Sequence, residues 1–339
     1  MSALLDIADL KITIPSNQGP LFPVRGVDLQ VSKGETLAIV GESGCGKSLT
    51  ALALMGLTPA RATLAATRLD FQGTSLLGLG DAAWRKIRGS RIAMIFQDPM
   101  TSLDPCYTIG SQMCEVMRAH LPIPESDARA RALNLLKRVG IPSAEARLSQ
   151  YPHQLSGGLR QRVMIAMALS CEPDFIIADE PTTALDVTTQ AQVLGLLMRL
   201  QEEAGIGIIL ITHDLGVVAG IAHRIAVMYA GQIVETGDTV SVLERPVHPY
   251  TQGLLRAIPT PGATPRGAAL GTIPGIVPAP RGAVTRCLFM ARCPYARPQC
   301  GAGPVLLPIE ADGHAARCIR PLAERALEPG YDAVPEAVS

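Results

Sequence analysis

The chain has 339 residues, of which 47% are hydrophobic and 18% are charged. This balance is typical of a globular protein with a substantial core, and the length favours two domains. Thirty basic and thirty acidic residues leave no net charge, and only 4% of residues are aromatic, so we expect no nucleic-acid partner. Asp6 and Asp9 interrupt the first segment, which argues against a secretory signal. No run of about eighteen apolar residues occurs, so we do not expect the chain to cross a membrane by itself.

Four short apolar runs are typical of buried strands, and the segments between them are long enough to hold helices. The runs occupy residues 36–40, 91–96, 175–178 and 207–212. This alternation predicts an α/β domain with a mostly parallel sheet. Residues 225–235 differ, because two short strands flank an Ala230–Gly231 turn. They predict an antiparallel edge to the sheet.

The segment between the second and third runs is mainly helical in pattern and predicts a helical subdomain at about residues 100–172. Within it, a helix is expected to begin at Ser126 and Asp127 and to end at Gly140. From residue 246 onward proline and glycine become dense, which indicates loop-rich chain. We therefore expect one domain over residues 1–245 and a carboxy-terminal extension over residues 246–339.

Residues 41–48, GESGCGKS, directly follow the first run and open a helix predicted from Lys47 to about Gly56. A strand, a glycine-rich turn and a helix start aim several backbone N–H groups at one point, where the helix dipole also favours negative charge. The full G-x-x-x-x-G-K-[ST] pattern predicts a site for ATP and Mg²⁺, with Lys47 on the terminal phosphates and the Ser48 hydroxyl on the metal. The predicted nucleotide-binding residues of this loop are Gly41, Ser43, Gly44, Cys45, Gly46, Lys47 and Ser48.

The third run ends in two consecutive carboxylates, Asp179 and Glu180. A buried strand that ends in a carboxylate can place Asp179 beside the Mg²⁺, and Glu180 can polarise the attacking water as general base. The alternative for either residue is a strand-end acid that faces solvent.

Residues 155–158 read LSGG and precede an amphipathic helical segment. Together with the phosphate loop and the acidic pair, this segment resembles the signature of the ATP-binding subunits of ABC transporters. The resemblance implies a P-loop ABC ATPase core and a head-to-tail dimer in which the signature contacts the ATP of the opposite subunit. The residues implied to contact nucleotide across the dimer are Leu155, Ser156, Gly157, Gly158, Gln161 and, in the D-loop formed by residues 184–186, Asp186.

Two further residues acquire roles from the same resemblance. Gln97 is similar to the Q-loop residue that senses Mg²⁺ and the attacking water, and His213 to the switch histidine near the γ-phosphate. One element departs from the family pattern, since the position that usually stacks an aromatic ring on adenine is matched by Gln18. Phe22 is a candidate substitute, and a core role is an equal alternative for it.

Residues 96–105 and 248–259 resemble the Q-loop and the carboxy-terminal extension of oligopeptide, dipeptide and nickel importers. The resemblance implies two transmembrane permease subunits, an extracytoplasmic binding protein, and a peripheral location on the cytoplasmic face of the inner membrane. It favours a second, different ATPase subunit over a homodimer, and peptides over nickel, glutathione or sugars as cargo. A soluble ABC ATPase that acts on DNA or ribosomes would carry two cassettes or a coiled-coil insertion, and the sequence has neither. A non-catalytic regulatory module would lack one of Lys47, Asp179, Glu180 or His213, and all four are present.

The eight cysteines include a cluster of four near the carboxy terminus. These are Cys287, Cys293, Cys300 and Cys318. Their spacing lacks the C-x-x-C steps of a common zinc ribbon, and three alternatives remain: a [4Fe-4S] cluster, tetrahedral zinc, or four reduced thiols. The resemblance favours the cluster. Separately, Cys45 lies among the amides of a helix start, which predicts a stabilised, reactive thiolate. The alternative is a small residue that merely fits the loop.

Overall fold

The computed structural model describes residues 3–183, 185–258, 271–282, 284–302, 307–308 and 313–319. The described strands are β1 (Leu5–Ile14), β2 (Leu21–Val31), β3 (Thr36–Val40), β4 (Thr63–Ala65), β5 (Arg68–Phe71), β6 (Thr74–Ser75), β7 (Ile92–Ile95), β8 (Phe175–Asp179), β9 (Gly207–Thr212), β10 (Arg224–Tyr229), β11 (Gln232–Asp238), β12 (Leu307–Pro308) and β13 (Ala315–Ala316). The described α-helices are α1 (Lys47–Leu54), α2 (Asp81–Arg85), α3 (Pro99–Ser102), α4 (Ile109–His120), α5 (Glu125–Arg138), α6 (Ala144–Leu148), α7 (Gly157–Ala168), α8 (Val187–Ala204), α9 (Leu215–Val218), α10 (Thr239–Glu244) and α11 (Pro249–Arg256).

The larger sheet has the strand order β12-β13-β11-β10-β3-β9-β8-β7, and the five strands from β10 to β7 are parallel. Strands β3, β8 and β9 are buried along their whole length, as expected for apolar runs covered on both faces. Val40 pairs with Thr212, and Asp179 pairs with Ile211. The carboxyl ends of these strands therefore meet at one edge of the sheet, where the phosphate loop and the acidic pair begin. The α/β prediction with a mostly parallel sheet is confirmed.

The predicted antiparallel edge is also present, because β10 and β11 form a hairpin. Its turn places Ala230 at φ 43° and Gly231 at φ 84°. A two-residue hairpin turn of type I′, whose twist matches that of the flanking strands, requires positive φ at both central residues. β11 continues the sheet outward, since it pairs antiparallel with β13 of the carboxy-terminal region.

A second, antiparallel sheet of five strands was not predicted from the sequence. It has the order β2-β1-β5-β6, with β4 also paired to β1. Asp9 lies at φ 53° in the middle of β1, and the register with β2 shifts between Ile7 and Leu10. This irregularity breaks the alternation of apolar and polar residues by which such a strand is recognised. The buried side chains of the sheet share one core with β3 and α1.

Helices α3 to α7 occupy the predicted helical subdomain, and α5 lies one residue from the expected helix start. Thr108 caps α4 by accepting a hydrogen bond from the Ser111 amide at 3.3 Å, which satisfies an otherwise unpaired donor. The helices pack into one core cluster with residues of β7, β8 and β9. Among the described residues, no helix has the length and apolar character needed to cross a membrane.

The carboxy-terminal region shares a core with the main sheet. Tyr250 and Phe289 lie in one cluster with Ala38 and Val40 of β3. Glu235, a fully buried residue of β11, accepts hydrogen bonds from the amides of residues 247 and 248 at 2.7 and 2.9 Å. The division near residue 245 stays a prediction.

Candidate nucleotide site

The phosphate loop is the short connection between β3 and α1. Gly46 lies at φ 112°, and a Cβ atom there would be 2.3 Å from the Pro23 carbonyl oxygen. A Cβ atom at Gly41 would be 2.2 Å from the Met228 carbonyl oxygen. Both distances are far below a van der Waals contact, so only glycine fits at these two positions. The neighbouring strands thereby fix the path of the loop.

Lys47 and Ser48 begin helix α1 at the end of this loop. The Lys47 ammonium is 5% exposed and donates to the carbonyl oxygens of Gly41 at 2.7 Å and Glu42 at 3.0 Å. The cation thus spans the loop across which the phosphates are predicted to lie. The remaining predicted loop residues, Ser43, Gly44 and Cys45, lie between them.

Asp179 joins the phosphate loop to the end of β8. Its Oδ1 accepts a hydrogen bond from the Ser48 hydroxyl at 3.1 Å. Burial raises the pKa of Asp179 above its ordinary value, against the lowering effect of that hydrogen bond. A carboxylate and a hydroxyl are hard oxygen donors of the kind that Mg²⁺ prefers, and a cation would offset the cost of burying this charge. The pair fits the predicted metal.

Glu180 is the centre of a polar cluster beside Asp179. Its Oε2 accepts hydrogen bonds from Gln97 Nε2 at 3.0 Å and from the Thr183 hydroxyl at 2.9 Å. His213 Nδ1 lies 3.4 Å from the same oxygen. The predicted base, the Q-loop glutamine and the switch histidine therefore meet at one carboxylate. Thr183 is a further member that sequence reasoning missed.

The backbone at Glu180 explains how two adjacent acids serve different contacts. Glu180 has φ 45°, and its amide donates to the Ile211 carbonyl at 2.9 Å. A left-handed conformation at a non-glycine residue costs about 1–3 kcal/mol and persists only where the surroundings enforce it. Here it ends the strand abruptly, so Asp179 contacts Ser48 while Glu180 contacts Gln97.

The signature segment, residues 155–158, leads into α7. Ser156 and Gly157 are exposed, and the Ser156 side chain makes no capping hydrogen bond to α7. Leu155 and Gln161 are 3% and 1% exposed, so they lie in the core rather than on the surface. A direct nucleotide contact from these two stays a prediction.

The D-loop lies beside the signature in the same subunit. A Cβ atom at Gly157 would be 3.9 Å from Leu185 Cδ2, and one at Gly158 would be 2.7 Å from Thr189 Cγ2. Asp186 caps α8 by accepting from the Thr189 amide at 3.0 Å and hydroxyl at 2.7 Å, and these bonds lower its pKa. Residue 184 of the D-loop lies outside the described residues.

The adenine end of the site carries no aromatic ring at the expected position. Gln18 is exposed, and Phe22 is half-buried. The Phe22 amide donates to the Pro280 carbonyl at 3.0 Å, so the carboxy-terminal region lies against this segment. Stacking of the Phe22 ring on adenine stays a prediction.

The prediction of a reactive thiolate at Cys45 is wrong. The residue is 1% exposed, and burial raises the pKa of its thiol. Lys47 Nζ lies 3.7 Å from the sulfur and opposes this shift, but desolvation of the charged form is the larger effect. Position at a helix start favours a thiolate only where water or a ligand can reach it.

The four carboxy-terminal cysteines line a single cavity. Phe289 and Tyr295 contribute to the same wall, and the Cys287 amide donates to the Cys300 carbonyl at 3.0 Å. Within the described ranges, no three His, Cys, Asp or Glu side chains converge tightly enough to hold one metal ion. The cysteines are therefore gathered, but not in the geometry of a mononuclear site.

Comparison with known proteins shows the family to which the chain belongs. The ABC transporter family profile matches residues 24–183. The dipeptide transport ATP-binding protein DppD of Escherichia coli strain K12 is 48% identical over 320 residues, which cover 94% of this chain and 97% of that protein. This chain belongs to the ABC transporter family of ATP-binding proteins. The chain is accordingly an ATP-binding protein and an ATPase.

Other matches cover both parts of the chain. The profile for the carboxy-terminal region of oligopeptide and dipeptide transporters matches residues 234–300. A putative peptide import ATP-binding protein of Brucella abortus strain 2308 is 48% identical over 327 residues, 94% of this chain and 97% of that protein. A dimeric ATP-binding cassette, MJ0796, solved in a post-hydrolysis state with ADP and phosphate, has a TM-score of 0.62 at 28% identity and covers 69% of this chain and 98% of that one.

Proposed function

We propose that this chain is the ATPase subunit of a membrane importer for di- or oligopeptides. Two observations together carry the proposal: Gln97 and His213 both lie at Oε2 of Glu180, and the carboxy-terminal region matches peptide transporters. The relatives named for dipeptide or peptide import cover 94% of the chain. Family membership alone would leave the cargo open.

The site geometry supports the following mechanism of hydrolysis. The loop amides and Lys47 hold the β- and γ-phosphates, and Mg²⁺ held by Ser48 and Asp179 would neutralise charge on the phosphate oxygens. Glu180 accepts a proton from the attacking water, which Gln97 orients through its hydrogen bond to the same carboxylate. His213 lies at the same carboxylate oxygen and contacts the γ-phosphate as the site closes.

Closure requires a second subunit. The exposed Ser156 and Gly157 lie at the start of α7, where a helix amino terminus can bind the phosphates of an ATP presented by another cassette. We favour a different ATPase subunit as the partner, because the chain carries one set of motifs and resembles importers with paired ATPases. Two permease subunits and an extracytoplasmic binding protein complete the complex, which places this chain on the cytoplasmic face of the inner membrane.

The four cysteines would hold a [4Fe-4S] cluster in this proposal. The gathering of four soft thiol donors around one cavity is the observation that supports a cluster. Anaerobic purification with iron, sulfide and zinc assays tests this assignment. About four irons per chain and a visible absorption band would support it, while stoichiometric zinc or a metal-free protein would reject it.

The function itself is tested by reconstitution. The chain is assembled with the permease and ATPase subunits encoded beside it in proteoliposomes, and ATP hydrolysis is measured with the binding protein loaded with dipeptides, nickel, glutathione or sugars. Stimulation by peptides alone, lost in the Glu180→Gln variant, is expected. Stimulation by another cargo, or no dependence on the binding protein, would overturn the peptide assignment.

A further inference from the structure

The phosphate loop is tied to the carboxy-terminal region through Glu42. Arg292 donates to this carboxylate with both terminal nitrogens, Nη1 to Oε2 at 2.7 Å and Nη2 to Oε1 at 2.8 Å. The Arg292 side chain is 5% exposed and that of Glu42 is 30% exposed. A bidentate pair of this kind fixes orientation as well as distance. The two residues are 250 positions apart in the chain.

Arg292 is itself held rigidly. Its Nε donates to the Pro274 carbonyl at 2.7 Å, and Nη2 also contacts the carbonyls of Ile273 and Gly275 at 3.2 and 3.3 Å. The guanidinium carbon lies 5.7 Å from the centre of the Tyr229 ring. Hydrogen bonding to Glu42 raises the pKa of Arg292 further, so the guanidinium stays charged.

A second tie holds the backbone of the same loop residue. The Glu42 amide donates to the Tyr250 hydroxyl at 2.8 Å. Tyr250 is fully buried, its ring packs 4.7 Å from Tyr229 and 5.4 Å from Phe289, and burial raises the pKa of its hydroxyl. The hydroxyl therefore stays protonated and immobile. Arg292 therefore holds the side chain of Glu42, and Tyr250 holds its backbone amide. Both residues belong to the carboxy-terminal region.

Glu42 passes this constraint to the cation of the loop. Its carbonyl oxygen accepts a hydrogen bond from the Lys47 ammonium at 3.0 Å. A shift of Glu42 would therefore move one of the two carbonyl groups that orient Lys47. The hydrogen bonds from Arg292 to the phosphate loop go to the Glu42 carboxylate, so its influence on the site runs through Glu42.

We propose that Arg292 is a positioning residue for ATP binding, which holds the phosphate loop in its binding conformation through the ion pair with Glu42. The carboxy-terminal region is then part of the working nucleotide site. Because Cys293 directly follows Arg292, displacement of the cysteine region would reach the loop by the same route.

The test compares variants of the full chain at a temperature where circular dichroism shows each to be folded. Arg292→Met removes the pair, Arg292→Lys keeps the charge without the bidentate geometry, and Glu42→Gln neutralises the partner. Arg286→Met is the matched control, because Arg286 is an exposed arginine of the same region. Mg·ATP binding is measured by titration calorimetry, and KM and kcat by phosphate release.

We expect Arg292→Met and Glu42→Gln each to weaken ATP binding and raise KM by about tenfold, with kcat at saturating ATP within about twofold of wild type. Arg292→Lys should fall between them and wild type, and Arg286→Met should match wild type. The double variant of Arg292 and Glu42 should bind no more weakly than the weaker single variant, since both changes break one interaction.

A residue that only stabilised the fold would lower the unfolding midpoint and leave ATP affinity unchanged in the folded variants. That result, additive losses in the double variant, or a fall in kcat at constant KM would overturn the proposal. If Arg292→Met does not fold, Arg292→Lys and Glu42→Gln decide the question, because wild-type affinity in both would equally refute it.

Discussion

Replacing Glu180 by glutamine isolates its role as a base, because the change removes a negative charge and leaves the shape. The glutamine carbonyl oxygen can still accept from Gln97 Nε2 and the Thr183 hydroxyl, which lie 3.0 and 2.9 Å from the wild-type oxygen. The amide cannot accept a proton from water. General-base catalysis contributes about 10²–10⁴-fold to such reactions, or about 3–5 kcal/mol of activation free energy. We expect kcat to fall by that factor.

The binding of ATP should survive the same change. Glu180 contacts neither Lys47 nor Ser48, and its side chain is only 11% exposed, so an isosteric amide leaves the phosphate loop undisturbed. Phosphate release measures turnover, and calorimetry measures Mg·ATP affinity. Glu202→Gln, the same change at an exposed site on α8, is the control. Turnover within about threefold of wild type in Glu180→Gln would refute the assignment of the base.

Three further predictions follow from burial and backbone geometry. Burial raises the pKa of Asp179, so protonation of this side chain stabilises the fold below its unfolded pKa of about 4, and this stability is lost as the pH rises through the folded pKa. Asp179→Asn should therefore have a higher melting temperature than wild type at pH 7.5 and the same melting temperature near pH 4. The variant should also lose Mg²⁺-dependent turnover. A lower melting temperature at pH 7.5 would contradict the burial cost. Iodoacetamide at pH 7.5 should modify the exposed Cys106 and should leave the buried Cys45 unmodified until the chain is unfolded. Mass spectrometry measures the modification, and equal rates at both cysteines in the native protein would show that Cys45 is accessible. Gly46→Ala should lower the free energy of unfolding by about 3 kcal/mol, because of left-handed strain and a clash with a backbone carbonyl. Gly44→Ala should lower it less, since a Cβ atom there would have no atom within 4 Å. Urea titrations measure both values, and similar losses would refute the close approach at Gly46.

Local patterns made the ATP site predictable. The phosphate loop, the acidic strand end and the buried strands are each contained in a short segment, and each pattern reflects a local physical demand for glycine, charge or burial. The parallel strands then bring Asp179 and His213 to one edge without further information. The roles of Gln97 and His213 came instead from the resemblance to ABC ATP-binding subunits, and no spacing predicted that both would contact the Glu180 carboxylate.

The features that sequence reasoning missed depend on long-range packing. The pair of Glu42 and Arg292 joins residues from opposite ends of the chain, and no spacing or composition signal marks it. Burial decided the state of Cys45, and burial is a property of the surroundings rather than of the loop. The amino-terminal sheet was missed because a bulge at Asp9 disrupts its alternation.

We expect ATP to be held by residues 41–48 of this chain and to be closed over by the signature of a neighbouring cassette. Electron cryomicroscopy of the assembled complex carrying Glu180→Gln with Mg·ATP would show both contacts in one map. The expected map has a triphosphate against Lys47 and Ser48, and Ser156 and Gly157 of this chain on the nucleotide of the opposite cassette. An empty loop, or a signature segment that contacts no nucleotide in the closed dimer, would contradict it.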